Sequence, residues 1–436
     1  MNILFLCHRI PFPPNKGDKI RSYNELVFLL KSHSIYLGTT LDNKSDSEYV
    51  TILKKYCQRL RAVRFNRKLK LFKSLVSGKP FSISNFYDKH LQAFVDDVLS
   101  TTKIDAVICF CSSMAEYIFN NPLYKKNGLK GTKLIMDFVD LDSDKWLQYS
   151  SYSHFPLSII YRIENKRLFK YEIAISNLFN HSVFVSEREV RVFRKLYPRA
   201  VNVSVIPNGV DYVHFSPMLA KANQPRETNN PDSAHSSQLS NEQLPISKQQ
   251  QASISHDPIL VFTGFMDYFA NEDGVKWFCE KILPIIKAEV PQVEFYIVGN
   301  KPTKIVKNLA QISGVHVTGY VENIRNYYWM ADVCVIPLRI ARGLQNKVLE
   351  AMATGNAVVA TSNASDGIIC QSGEDIVIAD EEEDFAQQVI SLIKDEKRRK
   401  EMGRKAVESI LEHYSWETNL KAFNKLLQSE PHDPPA

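Results

Sequence analysis

Two blocks of the chain repeat one pattern: a short apolar run, then a longer stretch whose apolar residues recur three and four positions apart. Residues 2–7 open the first block as a nearly continuous apolar run, as expected of a parallel strand covered on both faces. The loop HRIPFPPNKGDKIRSY follows, and a helix is predicted from about Lys19 to Leu30. Further strands are predicted at 34–40, 60–65, 104–110, 132–138, 182–186 and 202–206, with helical segments between them. The second block starts at 258, with strands at 258–262, 293–298, 315–318, 332–336 and 357–361. Its helices fall at 271–288, 303–311, 323–330, 346–353, 382–394 and 397–412, and a last helix runs from Trp416 to Leu427. Such alternation implies an α/β chain of two doubly wound parallel sheets, two Rossmann-like halves facing each other across a cleft. Ligands of such sheets sit beyond the carboxyl ends of the strands.

Between the blocks, residues 219–256 are rich in Gln, Ser, Asn and Pro and almost devoid of large apolar residues. That composition cannot offset its own ordering entropy, so a disordered insertion is expected, with a docking tail as the alternative. The expected organisation is a first domain over 1–215, the insertion at 219–256, a second domain over 257–415, and a terminal helix and tail at 416–436.

Composition narrows the partners. A net charge of +6 is too mild to suggest a nucleic-acid binder. No apolar stretch reaches the roughly 18–20 residues of a membrane span. The start, MNILFLC, is too short for a secretory leader and reads as a first strand. The seven cysteines lack CxxC spacing, and Cys7, Cys109, Cys334 and Cys370 sit in or beside apolar runs. Buried thiols in a reducing cytoplasm account for them more simply than disulfides or zinc.

The stretch richest in candidate chemistry is PLRIARGLQNKVLEAMA, Pro337 to Ala353. An apolar run ends at Pro337, a loop carries Arg339, Arg342, Gly343 and Gln345, and a helix opens at about Asn346, a good N-cap. Free N–H groups and positive dipole charge would then meet two arginines and Lys347, which suits a diphosphate. Glu350, one turn in, shares a face with Asn346 and Lys347 and could accept two hydrogen bonds from a ribose diol. A surface helix with a stabilising acid in its first turn is the alternative.

Neither block has GxGxxG after its first strand, which argues against a dehydrogenase, and Walker A spacing is absent too. Each block instead follows its first strand with Gly and polar residues. These are Gly17, Asp18, Lys19 and Arg21 in the first, and Gly264, Met266, Asp267 and Asn271 in the second. Gly17 would let backbone approach a phosphate, with Arg21 behind it; a glycine turn before a capped helix fits equally. The segment IMDFVDLDSDKW puts Asp137, Asp140, Asp142 and Asp144 at the end of an apolar strand. It reads as a DxD metal site, as a carboxylate orienting an acceptor hydroxyl, or as helix capping. The second is favoured for Asp140 and capping for Asp142, because the basic loop already supplies the charge a metal would bring.

Residues 51–80 hold ten Lys or Arg and no acid, with Phe65, Leu69, Phe72 and Val76 at helical spacing. A basic amphipathic helix can lie on anionic lipid, and a core helix with a solvated basic back fits as well. The 155–178 stretch is similarly mixed.

Taken together, HRIPFPPNKGDKIRSY, DFVDLDSDKW, SVFVSEREV, VIPNGVDYVHFSP, FTGFMDYFANEDGVKWF, the PLRIARGLQNKVLEAMATG block and YSWE resemble a GT-B glycosyltransferase of family 4. The nearest resemblance is to sugar transferases of PEP-CTERM/exosortase exopolysaccharide systems. It implies a GT-B fold whose C-terminal helix returns to the first domain, a nucleotide sugar in the second half and an acceptor, saccharide or lipid-linked, in the first. Glu350 would hold the ribose and Lys347 with an arginine the diphosphate, with Gly264, Asp267, Arg339, Gln345 and Asn346 completing the donor site. Asp140, Arg342 and Lys347 would carry the chemistry, and Gly17, Asp18 and Arg21 an acceptor or phosphate loop. The resemblance implies transfer with retention, no cofactor and no metal, at the inner face of the cytoplasmic membrane. The family commonly has a glutamate eight positions before Glu350, where this chain has Arg342. A non-catalytic nucleotide-sugar-binding subunit and a sugar-nucleotide epimerase are the competing readings.

Overall fold

The computed structural model describes residues 1–43, 46–64, 78–217, 257–341 and 343–429 of the 436. The insertion expected at 219–256, Arg342, and residues 65–77 of the basic stretch lie outside the described residues.

The first of two units comprises Met1–Asn208 and the chain from Trp416 onward. Its strands are β1 (Asn2–Cys7), β2 (Ser34–Leu41), β3 (Arg59–Arg64), β4 (Ala106–Phe110), β5 (Lys133–Val139), β6 (His181–Phe184) and β7 (Val203–Val205). They form one parallel sheet in the order β3-β2-β1-β4-β5-β6-β7. Successive side chains of a strand point to opposite faces, and the two cores divide accordingly. Leu4, Leu6, Val107, Cys109, Leu134 and Met136 pack on one side, and Ile3, Phe5, Ala106, Ile108, Phe110 and Ile135 on the other. The continuous apolar runs are therefore what a sheet covered on both faces requires. The helix Trp416–Gln428 closes the second of these cores with Leu420, Phe423 and Leu427. Lys133 Nζ donates to its Leu427 carbonyl at 2.8 Å, so the chain's last helix belongs to the first unit.

The second unit is Gly209–Ser415. Its strands are β8 (Ile259–Thr263), β9 (Glu294–Val298), β10 (Val315–Gly319), β11 (Val333–Ile336), β12 (Ala357–Ala360) and β13 (Val377–Ile378). They run parallel in the order β10-β9-β8-β11-β12-β13. The first domain was expected to run to 215, but Asp211–Phe215 packs with the second unit. Trp329 Nε1 donates to Phe215 O at 2.9 Å, and Val210 N to Tyr414 O at 2.8 Å.

Two helix expectations change. The helix expected at 271–288 runs as Phe269–Trp277 and Leu283–Glu289, joined by one wider turn at Phe278–Ile282. Pro284 has no N–H for the carbonyl four residues back, and a wider turn absorbs that loss. Asn346 is the first residue of its helix, not the cap: Gln345 holds the cap position and makes no capping bond through its side chain. Among the described residues, no helix is long and apolar enough to cross a membrane.

Candidate functional site

In each sheet the strand order reverses beside the first strand, between β1 and β4 and between β8 and β11. The loops leaving such neighbours diverge to opposite faces and leave a crevice at the strands' carboxyl ends. In the second unit, the loop after β8 and the helix that follows β11 therefore meet.

Lys347 stands at that meeting. Its Nζ lies 2.5 Å from Asn271 Oδ1 and 4.4 Å from the centre of the Phe262 ring. Gly264 makes room for it, because a Cβ there would stand 3.0 Å from Nζ and 2.6 Å from Asn271 Nδ2. Asn271 is itself fixed by donating to Phe265 O at 2.8 Å. Behind the loop, Gly299 adopts φ +147°, and a Cβ on it would fall 1.8 Å from Gly264 O. Gly299 is thus required by close approach of backbone, and Gly264 by the side chains of Asn271 and Lys347 set against it. Burial pushes the Lys347 amine down to about 7, with Glu350 opposing the shift.

Glu350 is anchored from the side of the sheet. Its Oε2 accepts from the Tyr328 hydroxyl at 3.0 Å, and that hydroxyl meets Thr263 Oγ1 at 2.6 Å. Burial raises the Glu350 carboxyl, while Tyr328 and Lys347 hold it back. Among the described residues, Oε1 accepts no hydrogen bond, which leaves it for a ligand. A cation, a backbone approach without a side chain, and a fixed carboxylate one helical turn apart suit a phosphorylated, hydroxylated ligand.

Gln345 and Asn346 open the helix that carries Lys347, whereas Arg339 and Asp267 are turned to other partners. Arg339 gives its guanidinium to Asp273, at 3.0 Å from Nε and 2.5 Å from the second nitrogen, and stacks 5.6 Å over Trp277. Asp267 pairs with Lys301 at 3.5 Å in an exposed position. Gln345 Nε2 donates to Gly343 O at 3.3 Å. Thr263 and Tyr328 were missed by sequence reasoning; the only signal for Tyr328 was a phenol inside an apolar helix, where a hydroxyl needs a partner.

In the first unit, Arg21 is wholly buried and does not face a ligand. It donates to Asp137 at 2.9 and 2.7 Å, to Ile206 O at 2.8 Å and to Asn208 Oδ1 at 3.0 Å, and pairs with Glu25 at 2.9 Å. In place of the expected phosphate contact, it ties the helix Gly17–Leu30 to β5. Gly17 opens the helix Gly17–Leu30 in an exposed position. Asp18 faces His8 at 3.2 Å and Arg9 at 2.7 Å. Burial opposes its ionisation, yet those two partners hold its carboxyl far below the usual range. His8, which sequence reasoning passed over, stacks on Phe110 and meets Phe86 edge-on.

Asp140 follows a break in the pairing of β5 with β6, where Val139 takes φ +66°. That conformation is costly for a β-branched residue and turns the next side chain off the strand's alternation. Burial pushes the Asp140 carboxyl up to about 7, helped by Glu189 and Asp142. Its Oδ1 has no hydrogen-bond partner. Asp142, expected to cap, does not. Leu141 N donates instead to Glu189 at 2.7 Å and Ser143 N to Glu172 at 3.1 Å.

Residues 257–395 match the family described as Glycosyl transferases group 1. Over 181 residues the chain is 26% identical to an uncharacterized 44.6 kDa protein in the cps region of Klebsiella pneumoniae. That match takes in 40% of this chain and 46% of the relative, so the chain spans about half the length of the curated relative it matches. Among solved structures, sucrose-phosphate synthase from Thermosynechococcus elongatus is similar at a TM-score of 0.65 and 15% identity, covering 98% of both chains. Anabaena HepE in complex with UDP and glucose is similar at 0.62 and 15%, covering 98% of this chain and 99% of that one. A Staphylococcus aureus TarM variant in complex with fondaparinux, alpha-GlcNAc-glycerol and UDP is similar at 0.62 and 14%, covering 98% and 100%. Identities this low speak for the fold alone, and that fold is GT-B, built of two Rossmann-like domains.

Proposed function

We propose that the protein is a glycosyltransferase that takes a sugar from a nucleoside-diphosphate donor and passes it to a saccharide acceptor. The observation that carries the reading is the Lys347 amine, half-buried beside Gly264 and Asn271 at the second unit's crevice, one turn from Glu350. Glu350 would receive the ribose hydroxyls on Oε1. The diphosphate would enter over Gly264, and its charge would draw Lys347 back to the ammonium form. As the bond from the sugar's anomeric carbon to phosphate oxygen breaks, negative charge grows on the departing diphosphate. A cation already fixed there stabilises it without reorganisation, and no metal or cofactor is then required.

We take the transfer to retain configuration. The acceptor oxygen bonds to the anomeric carbon on the face the diphosphate leaves, and the acceptor's proton departs with the diphosphate. No protein nucleophile is then needed. Asp140, with one oxygen unpartnered and a carboxyl near neutrality, is suited to orient an acceptor hydroxyl. The acceptor class is supported by TarM and the cps-region relative and by the resemblance to exopolysaccharide transferases. A lipid-linked saccharide at the cytoplasmic face follows from that resemblance alone.

A panel of nucleotide sugars screened for thermal stabilisation, then assayed for transfer to lipid and oligosaccharide extracts, tests the proposal. A donor that stabilises the protein and is turned over only with acceptor present supports it. Binding with no transfer to any extract would favour a non-catalytic binding subunit, and conversion of the donor without acceptor would favour an epimerase.

A further inference from the structure

The helices Asp142–Tyr152 and Leu157–Leu178 form a hairpin in the first unit, and its end gathers exposed apolar side chains. Phe155 at the turn is 80% exposed, and Leu147, Leu157, Ile159, Ile160 and Ile163 are each exposed by more than two-fifths. Single exposed apolar residues are ordinary, but six within seventeen positions make a patch. The hairpin beneath it is held firmly. Asn165 Nδ2 donates to Ser143 O at 2.8 Å, Ser143 N donates to Glu172, and Trp146, Tyr149 and Tyr161 cluster with ring centres 5.3–6.2 Å apart.

Charge along the second helix has one sign. Arg162, Lys166 and Lys170 are exposed at four-residue spacing, which places them in one line about 12 Å long. The helix's only acids, Glu164 and Glu172, are buried. Glu164 is occupied by the backbone N–H groups of Phe81 and Ser82.

We propose that this hairpin end docks on an anionic lipid surface. Phe155, Leu157 and Ile160 would enter the boundary between headgroups and acyl chains, with the Trp146–Tyr149–Tyr161 cluster at headgroup level. Arg162, Lys166 and Lys170 would lie against anionic headgroups. Apolar tip, aromatic layer and cations then occur in the order in which a bilayer presents their counterparts. A second copy of the chain is the poorer occupant, because it would set the same cations against one another. The inference uses no residue of the proposed transfer site.

Cosedimentation of the full chain with phosphatidylcholine vesicles, with and without phosphatidylglycerol, tests it. Binding is expected to the anionic vesicles only and to weaken with salt. Lys166→Glu with Lys170→Glu should reduce partition by at least roughly fivefold per charge. Phe155→Ser with Ile160→Ser should reduce it too, although the charge is unchanged. Both variants replace exposed side chains, and unaltered melting would show that the fold is kept. The proposal is overturned by equal or absent binding to the two vesicle types, by variants that bind like the parent, or by loss only when the charges of residues 51–80 are removed. A dimer in the ultracentrifuge that the Phe155 and Ile160 substitutions dissociate would give the patch to a second copy and overturn it as well.

Discussion

The Tyr328 hydroxyl donates to Glu350 Oε2 at 3.0 Å and meets Thr263 Oγ1 at 2.6 Å. One buried phenol thus ties the first strand of the second sheet to the helix that carries Lys347 and Glu350. Tyr328→Phe should leave the ring in place and free the carboxylate to turn. A stability loss of about 1 kcal/mol and a several-fold rise in the nucleotide's Kd are expected. Chemical denaturation and calorimetry would measure them; an unchanged Kd would show that Glu350 needs no such anchor.

Gly264 gives a steric test of the same place. A methyl group there would stand 2.6 Å from Asn271 Nδ2 and 3.0 Å from Lys347 Nζ, so both would have to shift. Gly264→Ala should weaken nucleoside-diphosphate binding about tenfold, one charge-assisted contact, while the melting temperature moves little. Gly299→Ala should prevent stable folding, because its Cβ would fall 1.8 Å from a backbone oxygen. Normal expression and melting of the latter would contradict the packing described here.

Arg21, Asp137 and Glu25 are buried together with one cation for two carboxyls. Burial and the neighbouring Asp137 raise the Glu25 carboxyl well above its ordinary value, which favours its protonated form. Arg21→Met should therefore cost about 3–5 kcal/mol, the scale for stranding a buried charge. Glu25→Gln, which imitates the protonated form, should cost much less. Equal losses in urea denaturation would overturn that proton assignment.

These cases show what the amino-acid order revealed. Uninterrupted apolar runs such as 2–7 and 333–336 announced parallel strands, because a strand covered on both faces has no polar side to alternate with. The loop after β8 and the helix after β11 were singled out separately in the sequence, and the strand order that sets β8 beside β11 is what brings them together. Arg21 was misread because its partner Asp137 is 116 positions away, and a basic residue after a glycine looks the same whether it faces solvent or a carboxylate. Arg339 was hard to place for a similar reason: Asp273, 66 positions away in the helix Phe269–Trp277, takes its guanidinium. Capping by Asp142 was a local inference, and distant Glu189 and Glu172 displaced it.

Asp140 gives a pH dependence with a definite sign. Its carboxyl is raised by burial from an ordinary 3.8 to about 7, so the folded state holds a proton that the unfolded chain releases. The stability it contributes is complete below about pH 4 and is lost as pH rises through about 7. Asp140→Asn should remove that slope and melt above the parent at pH 8. If the carboxylate orients the acceptor, the parent's turnover should also rise through about pH 7, and the variant should lack that limb. Parallel profiles would remove Asp140 from the acceptor site.

The central claim is that the Lys347 amine, pushed down to about 7 by burial, takes up a proton to grip a diphosphate. Titration calorimetry of a nucleoside diphosphate at pH 8, in buffers of different ionisation enthalpy, tests it most directly. The parent should take up close to one proton on binding, with affinity falling as pH rises. Lys347→Ala should bind about 10–100-fold more weakly, with no proton uptake. Equal affinity and equal proton uptake in parent and variant would contradict the account.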